Sequence, residues 1–351
     1  MIAYLHPAPA FGAVERYVAS LARGLRETGE KLTLVYPDAP DLAPFRELGG
    51  GSVRLEPYAP ALLAATPQLL GMLVRRLRRL RPRVVHTTDV WPAAFVAARL
   101  AGVRRLVVTH HTPELPRRDN LAGSLFWRLG WLARPEVIYT SEADREHDGR
   151  RGLKTHVIPL GIDLDRFAHA APELEVDFPV VGTVGRLAAQ KGQRYLIEAA
   201  PRVLERHPDV RFAIVGDGEL RAQLEAQAAD AQLDDRFLFT GMRENVAPLL
   251  ASFDVFALPS LFEGLCLAVI EAQAAGVPVV ATPVGGVKET VRAGETGVVC
   301  RPADPVSLAD GISWLLEHPE EAKRLAATAR ERVRQRFSEE RMVRDTLALY
   351  A

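Results

Sequence analysis

A chain of 351 residues has room for about two domains. Its 48% apolar and 25% charged composition supplies a core and excludes the disordered class. Equal numbers of basic and acidic residues, 44 each, exclude a basic nucleic-acid coat and an acidic tail, so no nucleic-acid partner is expected. The two cysteines, Cys266 and Cys300, are too few for a disulfide framework or a four-cysteine metal site, and are read as inert thiols of a reducing, cytoplasmic compartment.

In chain order, short apolar runs alternate with helical patterns. Ile2–Leu5 opens the series after a terminus with no basic flank, which argues against a secretory leader. From Glu15 to Arg26 the residues Tyr17, Val18, Leu21, Ala22 and Leu25 share one helix face, and Gly29 stops that helix before the strand Leu32–Tyr36. The longest uncharged run, Pro57 to Val74, contains Pro60, Pro67 and Gly71 and falls short of the roughly 20 apolar residues of a membrane span. Leu69, Leu70, Leu73, Leu77 and Leu80 recur at helical spacing there, opposite the arginines of RRLRRLRPR. Strands are expected at Val84–His86, Leu106–Thr109, Val137–Thr140 and His156–Pro159. A second series runs Val180–Val184, Phe212–Val215, Phe237–Thr240, Val255–Leu258, Val277–Ala281 and Val298–Cys300. Such alternation predicts parallel sheets covered on both faces, in two doubly wound Rossmann-like domains. The division falls at a linker, 168–178, between domains 1–167 and 179–335, with a terminal helix over 336–351. Residues 1–167 carry 24 basic against 17 acidic side chains, so overall neutrality hides a basic half and an acidic half.

Open α/β domains bind ligands outside the carboxyl ends of their strands. After Val180–Val184 come Gly185, Arg186, then Lys191 and Gly192: a guanidinium fork and an ammonium beside glycines, suited to a diphosphate. After Val255–Leu258, the segment PSLFEGLCLAVIEAQAAG places Glu263 on a loop and Glu271 on a helix that begins near Cys266 and stops at Gly276. That helix start offers free N–H groups to an anion. Glu271 has the apolar neighbours Val269, Ile270, Ala272, Ala274 and Ala275, so its carboxylate needs a partner. Asp163-Leu164-Asp165 reads as a turn or helix start, the nine histidines lack H-E-x-x-H spacing, and no metal is assigned. Gly216-Asp217-Gly218 lacks a third glycine at Arg221, which excludes a dinucleotide fingerprint.

Glu263 and Glu271, eight apart, resemble the E-x7-E signature of retaining glycosyltransferases with the GT-B fold, and more narrowly those of family 4, the glycosyl transferases group 1. The resemblance extends to Gly185-Arg186-Leu187 with Gln190-Lys191-Gly192, to Val215-Gly216-Asp217-Gly218, to Pro159-Leu160-Gly161-Ile162-Asp163 and to Ala281-Thr282-Pro283-Val284-Gly285-Gly286. It implies two α/β domains facing each other across a cleft, with the last helix crossing back. The N-terminal domain would serve the acceptor and the C-terminal domain a nucleotide-sugar donor. Arg186 and Lys191 would then grip the diphosphate with backbone N–H groups near Leu267 and Ala268. Glu271 would hold the ribose, Glu263 the donor sugar, and Gly216 with the Gly241–Arg243 loop the base. Gly12-Ala13-Val14-Glu15 resembles the family's glycine-rich entry loop, with Ala13 in place of the usual second glycine, and puts Gly12 among the donor-binding residues. Val108-Thr109-His110-His111 resembles the strand end carrying an active-site histidine, His111 being the better match and His110 the runner-up. The implied activity is transfer of a hexose-type sugar, with retention, to a sugar, lipid or small-molecule acceptor, with no cofactor or metal. The alternatives are an epimerase or phosphorylase on the same fold, or a sugar-nucleotide-binding paralogue without turnover. The basic helix face adds a contact for Arg75, Arg76 and Arg79 with anionic lipid at the inner face of a membrane; a solvated helix face is the competing reading.

Overall fold

The structure, a computed structural model, describes residues 1–7, 13–61, 66–89, 91–111, 132–148, 152–174, 176–233 and 235–351. Two compact units emerge: Met1–Gly161 together with Glu339–Ala351, and Ile162–Ser338.

The first unit holds seven parallel strands: β1 (Ile2–Leu5), β2 (Leu32–Pro37), β3 (Val53–Tyr58), β4 (Val84–Thr88), β5 (Arg105–His110), β6 (Glu136–Tyr139) and β7 (Thr155–Val157). Their order is β3-β2-β1-β4-β5-β6-β7, with Ile2 level with Leu32 on one side and Val84 on the other. Every expected strand of this half is present within a residue or two. β3 was not expected. It is the edge strand, and Arg54, Glu56 and Pro57 interrupt the apolar pattern that would have revealed it.

The amphipathic helix Ala13–Glu27 buries Tyr17, Val18, Leu21, Ala22 and Leu25, the face set by its spacing. Helix Thr66–Leu80 buries Leu69, Leu73 and Leu77 and leaves Arg75, Arg78 and Arg79 exposed. Arg79 donates to Glu56 Oε1 at 2.5 Å, Arg76 donates to the carbonyls of Glu56 and Pro57 at 2.8 and 2.9 Å, and Arg54 lies 3.2 Å from the same carboxylate.

The second unit holds six parallel strands: β8 (Val180–Val184), β9 (Arg211–Val215), β10 (Phe237–Gly241), β11 (Val255–Leu258), β12 (Val279–Ala281) and β13 (Val298–Val299), in the order β10-β9-β8-β11-β12-β13. Alternate residues feed two apolar clusters, Val181, Phe212, Ile214 and Val255 in one, Val180, Ala213, Val215 and Phe256 in the other. A central strand buried on both faces reads as a continuous apolar run for this reason. β12 begins at Val279 rather than Val277 because Pro278 has no N–H to give a ladder. Asp163 caps helix Leu164–Ala168, accepting from the Arg166 N–H at 3.2 Å, so this carboxylate has the helix-start role.

Helix Pro319–Arg336 ends at buried Phe337, whose carbonyl accepts the Ile162 N–H at 2.9 Å; the entry and exit of the second unit are therefore adjacent. The last helix, Glu339–Ala348, returns to the first unit. Ser20 Oγ donates to Glu339 Oε1 at 2.6 Å, and Val343 lies over Gly24, where a methyl group would come 2.4 Å from its Cγ1.

Gly182 in β8 has no room for a side chain, since a Cβ would lie 2.0 Å from the Phe253 ring. Gly182→Ala is expected to cost about 1–3 kcal/mol, the overpacking scale, with Phe253→Leu restoring part of it. Urea denaturation of the two variants and their combination measures this; an unchanged midpoint for Gly182→Ala denies the contact.

Candidate functional site

In a doubly wound sheet the strand order reverses at one point, and the loops leaving the strand ends there diverge to leave a crevice. In the second unit that point lies between β8 and β11. The β8 loop carries Gly185, Arg186 and Lys191; the β11 loop carries Ser260 and Glu263 and leads into helix Leu267–Ala275, whose second turn carries Glu271.

Lys191 and Glu263 meet. Lys191 Nζ donates to Glu263 Oε1 at 2.7 Å, and Ser260 Oγ donates to the same oxygen at 2.7 Å. The Glu263 side chain is 5% exposed and that of Lys191 20%. Burial works to lower the Lys191 pKa, but Cys266 and Glu263 oppose it and the net direction is upward. Burial first, then Glu263, pushes the Cys266 thiol to about 12. At neutral pH that thiol is uncharged, so the charged group that meets the ammonium directly is the Glu263 carboxylate.

Gly192 adopts the left-handed conformation, with φ of 65°, and a Cβ there would lie 2.2 Å from the Pro259 carbonyl oxygen. The glycine lets the β8 loop touch the β11 loop. Gly285, with φ of 49°, sits against Glu263 itself: a Cβ would come 1.7 Å from the Glu263 carbonyl oxygen. Thr282 Oγ1 donates to the Ser260 carbonyl at 2.5 Å. Backbone and carboxylate of Glu263 are thus both fixed.

Arg186 is exposed, near enough to Lys191 to act against its charge. Leu267 and Ala268 are the first two residues of the helix, and their N–H groups lie in the turn that has no intrahelical acceptors. Glu271 is buried on the same helix, 8% exposed. Gly216 closes β9 against β10, its N–H donating to the Gly241 carbonyl at 3.0 Å. Arg243 is exposed beyond β10 with Glu173 at 3.6 Å.

In the first unit the order reverses between β1 and β4. His6 follows β1, Asp89 follows β4 and His111 follows β5. Gly12 lies outside the described residues. The two adjacent histidines differ. His110 is buried and stacks on Tyr139 with centroids 5.7 Å apart. His111 is half-buried, with Tyr17 edge-on at 5.0 Å and its N–H donating to Asp89 Oδ1 at 2.7 Å. Neither His111 ring nitrogen has a hydrogen-bond partner among the described residues. Burial lowers the His111 pKa against the opposing pull of Asp89, so the ring is neutral at neutral pH. His6 Nε2 lies 3.0 Å from Glu15 Oε1, and both are buried.

Ser260, Asp89, Tyr17 and the His6–Glu15 pair were not singled out from the sequence. Ser260 and Asp89 lie within two residues of the end of a strand that borders a switch point, and the strand-end rule applied to every loop would have found them.

This arrangement is that of a GT-B glycosyltransferase, and the comparisons agree. Residues 14–166 match the family model Glycosyltransferase Family 4, and residues 165–332 match Glycosyl transferases group 1. The 2-deoxystreptamine glucosyltransferase of Streptomyces kanamyceticus is 34% identical over 346 residues, covering 86% of this chain and 89% of that protein. The GDP-mannose-dependent alpha-(1-6)-phosphatidylinositol monomannoside mannosyltransferase of Mycolicibacterium smegmatis is 30% identical over 349 residues, covering 92% and 90%. Among solved structures, Anabaena HepE in complex with UDP-glucose superposes with a TM-score of 0.80 at 22% identity over 99% of both chains, a likeness of fold. The chain belongs to glycosyltransferase family 4, the glycosyl transferases group 1, whose members are retaining glycosyltransferases that use nucleotide-sugar donors.

Gly285→Ala is expected to push Glu263 out of place without unfolding the unit, since the added methyl meets only that loop. A displacement on the ångström scale costs about a hundred-fold in rate. Turnover of the variant, set beside its melting temperature, reads the effect; wild-type turnover would show that the position of Glu263 does not matter.

Proposed function

We propose that the chain transfers a hexose from a nucleoside-diphosphate sugar to an acceptor hydroxyl with retention at the anomeric carbon. The Lys191–Glu263 pair at the β8–β11 switch point, beside the start of helix Leu267–Ala275, carries this reading. It brings a cation for the leaving group, a carboxylate for the sugar and a helix N-terminus into one crevice. Arg186, Lys191 and the N–H groups of Leu267 and Ala268 take the diphosphate. Glu271 accepts from the ribose hydroxyls and Glu263 from the sugar. Gly216 and Arg243 border the base, Gly185 opens the diphosphate-binding loop, and Gly12 is assigned to donor binding by its sequence resemblance alone. His111, neutral and with no hydrogen-bond partner for either ring nitrogen among the described residues, serves the reacting sugar.

The anomeric carbon–oxygen bond to the diphosphate breaks, and the electron pair goes to the leaving oxygen. The cations and helix N–H groups stabilise that charge more in the transition state than in the ground state. The acceptor oxygen bonds to the same carbon from the same face, and its proton passes to the departing phosphate oxygen.

The relatives' printed names support both small-molecule and lipid acceptors. No described helix is long and apolar enough to cross a membrane. We place acceptor capture by a lipid-linked substrate on helix Thr66–Leu80, at the inner face of the cytoplasmic membrane. Glu56 faces three guanidiniums, those of Arg54, Arg76 and Arg79, and with exposed Arg75 the patch keeps an excess of positive charge.

Lys191→Ala and Arg186→Ala are each expected to lower turnover by roughly 10²–10³, the scale of one lost charge-stabilising donor. Steady-state rates with nucleotide-sugar donors test this, and wild-type rates in both variants would remove the diphosphate assignment. For the membrane contact, sedimentation should show binding to anionic but not neutral vesicles, weakening as salt rises. Equal binding to both, or binding unchanged when Arg75, Arg76 and Arg79 become Gln, would leave a freely diffusing acceptor.

A further inference from the structure

Behind His111 the first unit contains a row of buried polar groups that the transfer reaction does not itself require. Tyr350, beyond the last helix, is 1% exposed, and its hydroxyl lies 2.5 Å from His86 Nδ1. His86 Nε2 lies 2.8 Å from Thr109 Oγ1, and the Tyr17 hydroxyl lies 3.0 Å from that same oxygen. The Tyr17 ring then meets the His111 ring edge-on. Thr109 is two residues before His111, and its carbonyl accepts the Asp89 N–H at 2.8 Å, while Asp89 Oδ1 accepts the His111 N–H.

The protons in this row have a direction. Burial, then the nearby His111, pushes the His86 pKa down to about 3, so its ring carries a single N–H. If the Tyr350 O–H donates to Nδ1, then Nε2–H donates to Thr109 Oγ1 and the Thr109 hydroxyl donates to the Tyr17 oxygen. The Tyr17 proton is then free to turn to the Thr346 side chain beside it, whose Oγ1 has no other hydrogen-bond partner among the described residues. In the reverse direction the Tyr350 proton would be buried with no acceptor among the described residues.

We propose that Tyr350 is a positioning residue for His111, acting through His86, Thr109 and Tyr17. The Tyr350 hydroxyl sets the tautomer of His86; the tautomer sets which way Thr109 and Tyr17 face; and Tyr17 sets the plane in which His111 presents its ring nitrogens. Arg83 secures the far end by donating to the Tyr350 carbonyl. The segment at the end of the chain thereby takes part in preparing the acceptor-side histidine. This rests on the role given above to His111.

The test is Tyr350→Phe in the full chain, which removes one oxygen and keeps the ring. Imidazole nitrogen chemical shifts, read by long-range proton–nitrogen correlation, should show His86 as the Nε2–H tautomer in the wild type. In the variant that preference should be lost and the His111 signals should move. The kcat should fall about three- to ten-fold, the scale of one hydrogen bond, with the donor KM and the melting temperature little changed. Thr109→Val should reproduce the loss and Thr109→Ser should restore activity, since only the hydroxyl is in the row. Unmoved His111 signals in Tyr350→Phe, or a kcat that falls only in proportion to the folded fraction, would overturn the proposal. If His111→Ala turns over like the wild type, the role given to His111 fails. The nitrogen shifts decide separately whether Tyr350 positions the ring.

Discussion

The ion pair between Lys191 and Glu263 is the interaction on which the second unit's site depends. Two loops from neighbouring strands must converge for it to form, and three features make them converge. Gly192 lets the first loop touch the Pro259 carbonyl, Gly285 lets the β12 loop close on the Glu263 backbone, and Ser260 shares the carboxylate oxygen. A buried carboxylate is costly unless it is paired and hydrogen-bonded, and Glu263 is both. The same pairing favours the charged form of Lys191 at a position where burial disfavours it.

The first unit solves a different problem with different chemistry. Its strand ends present histidines, hydroxyls and carboxylates rather than a fixed cation, and most of these are below the surface. His86 is held neutral by burial and His111 is pushed the same way. A neutral imidazole can donate at one nitrogen and accept at the other, so its usefulness depends on which nitrogen carries the proton. Tyrosine and threonine hydroxyls, which can do either, make that choice through their own geometry.

The fold was largely legible because both sheets are parallel and covered on two faces, so strands such as Val180–Val184 and Val255–Leu258 are unbroken apolar runs between loops. β3 was invisible because an edge strand needs only one covered side and tolerates Arg54, Glu56 and Pro57. The residues flanking the β8–β11 switch point were legible for a local reason: Arg186 and Lys191 share one loop, and Glu263 and Glu271 share one loop and helix. The polar row behind His111 was not legible, because Tyr17, His86, Thr109 and Tyr350 are brought together only by the fold. The spacing that joins them spans 264 residues between His86 and Tyr350. The arginine-rich helix shows the converse: its charges stand out in the sequence, yet the nearby Glu56 that draws in Arg76 and Arg79 is recognisable only once β3 is placed beside it.

Because Glu339–Ala351 belongs with Met1–Gly161, the second unit interrupts the first in the sequence. Domains fold as units while the chain emerges from the ribosome. Residues 162–338 emerge as one continuous stretch, so their sheet can close as soon as they are made. The first unit begins earlier but finishes last. Val343 over Gly24, and Tyr350 against His86, can be set only after all of the second unit has been synthesised. A nascent chain stalled inside the last helix would therefore hold a finished second-unit sheet and a first-unit sheet that still has an opening in its core.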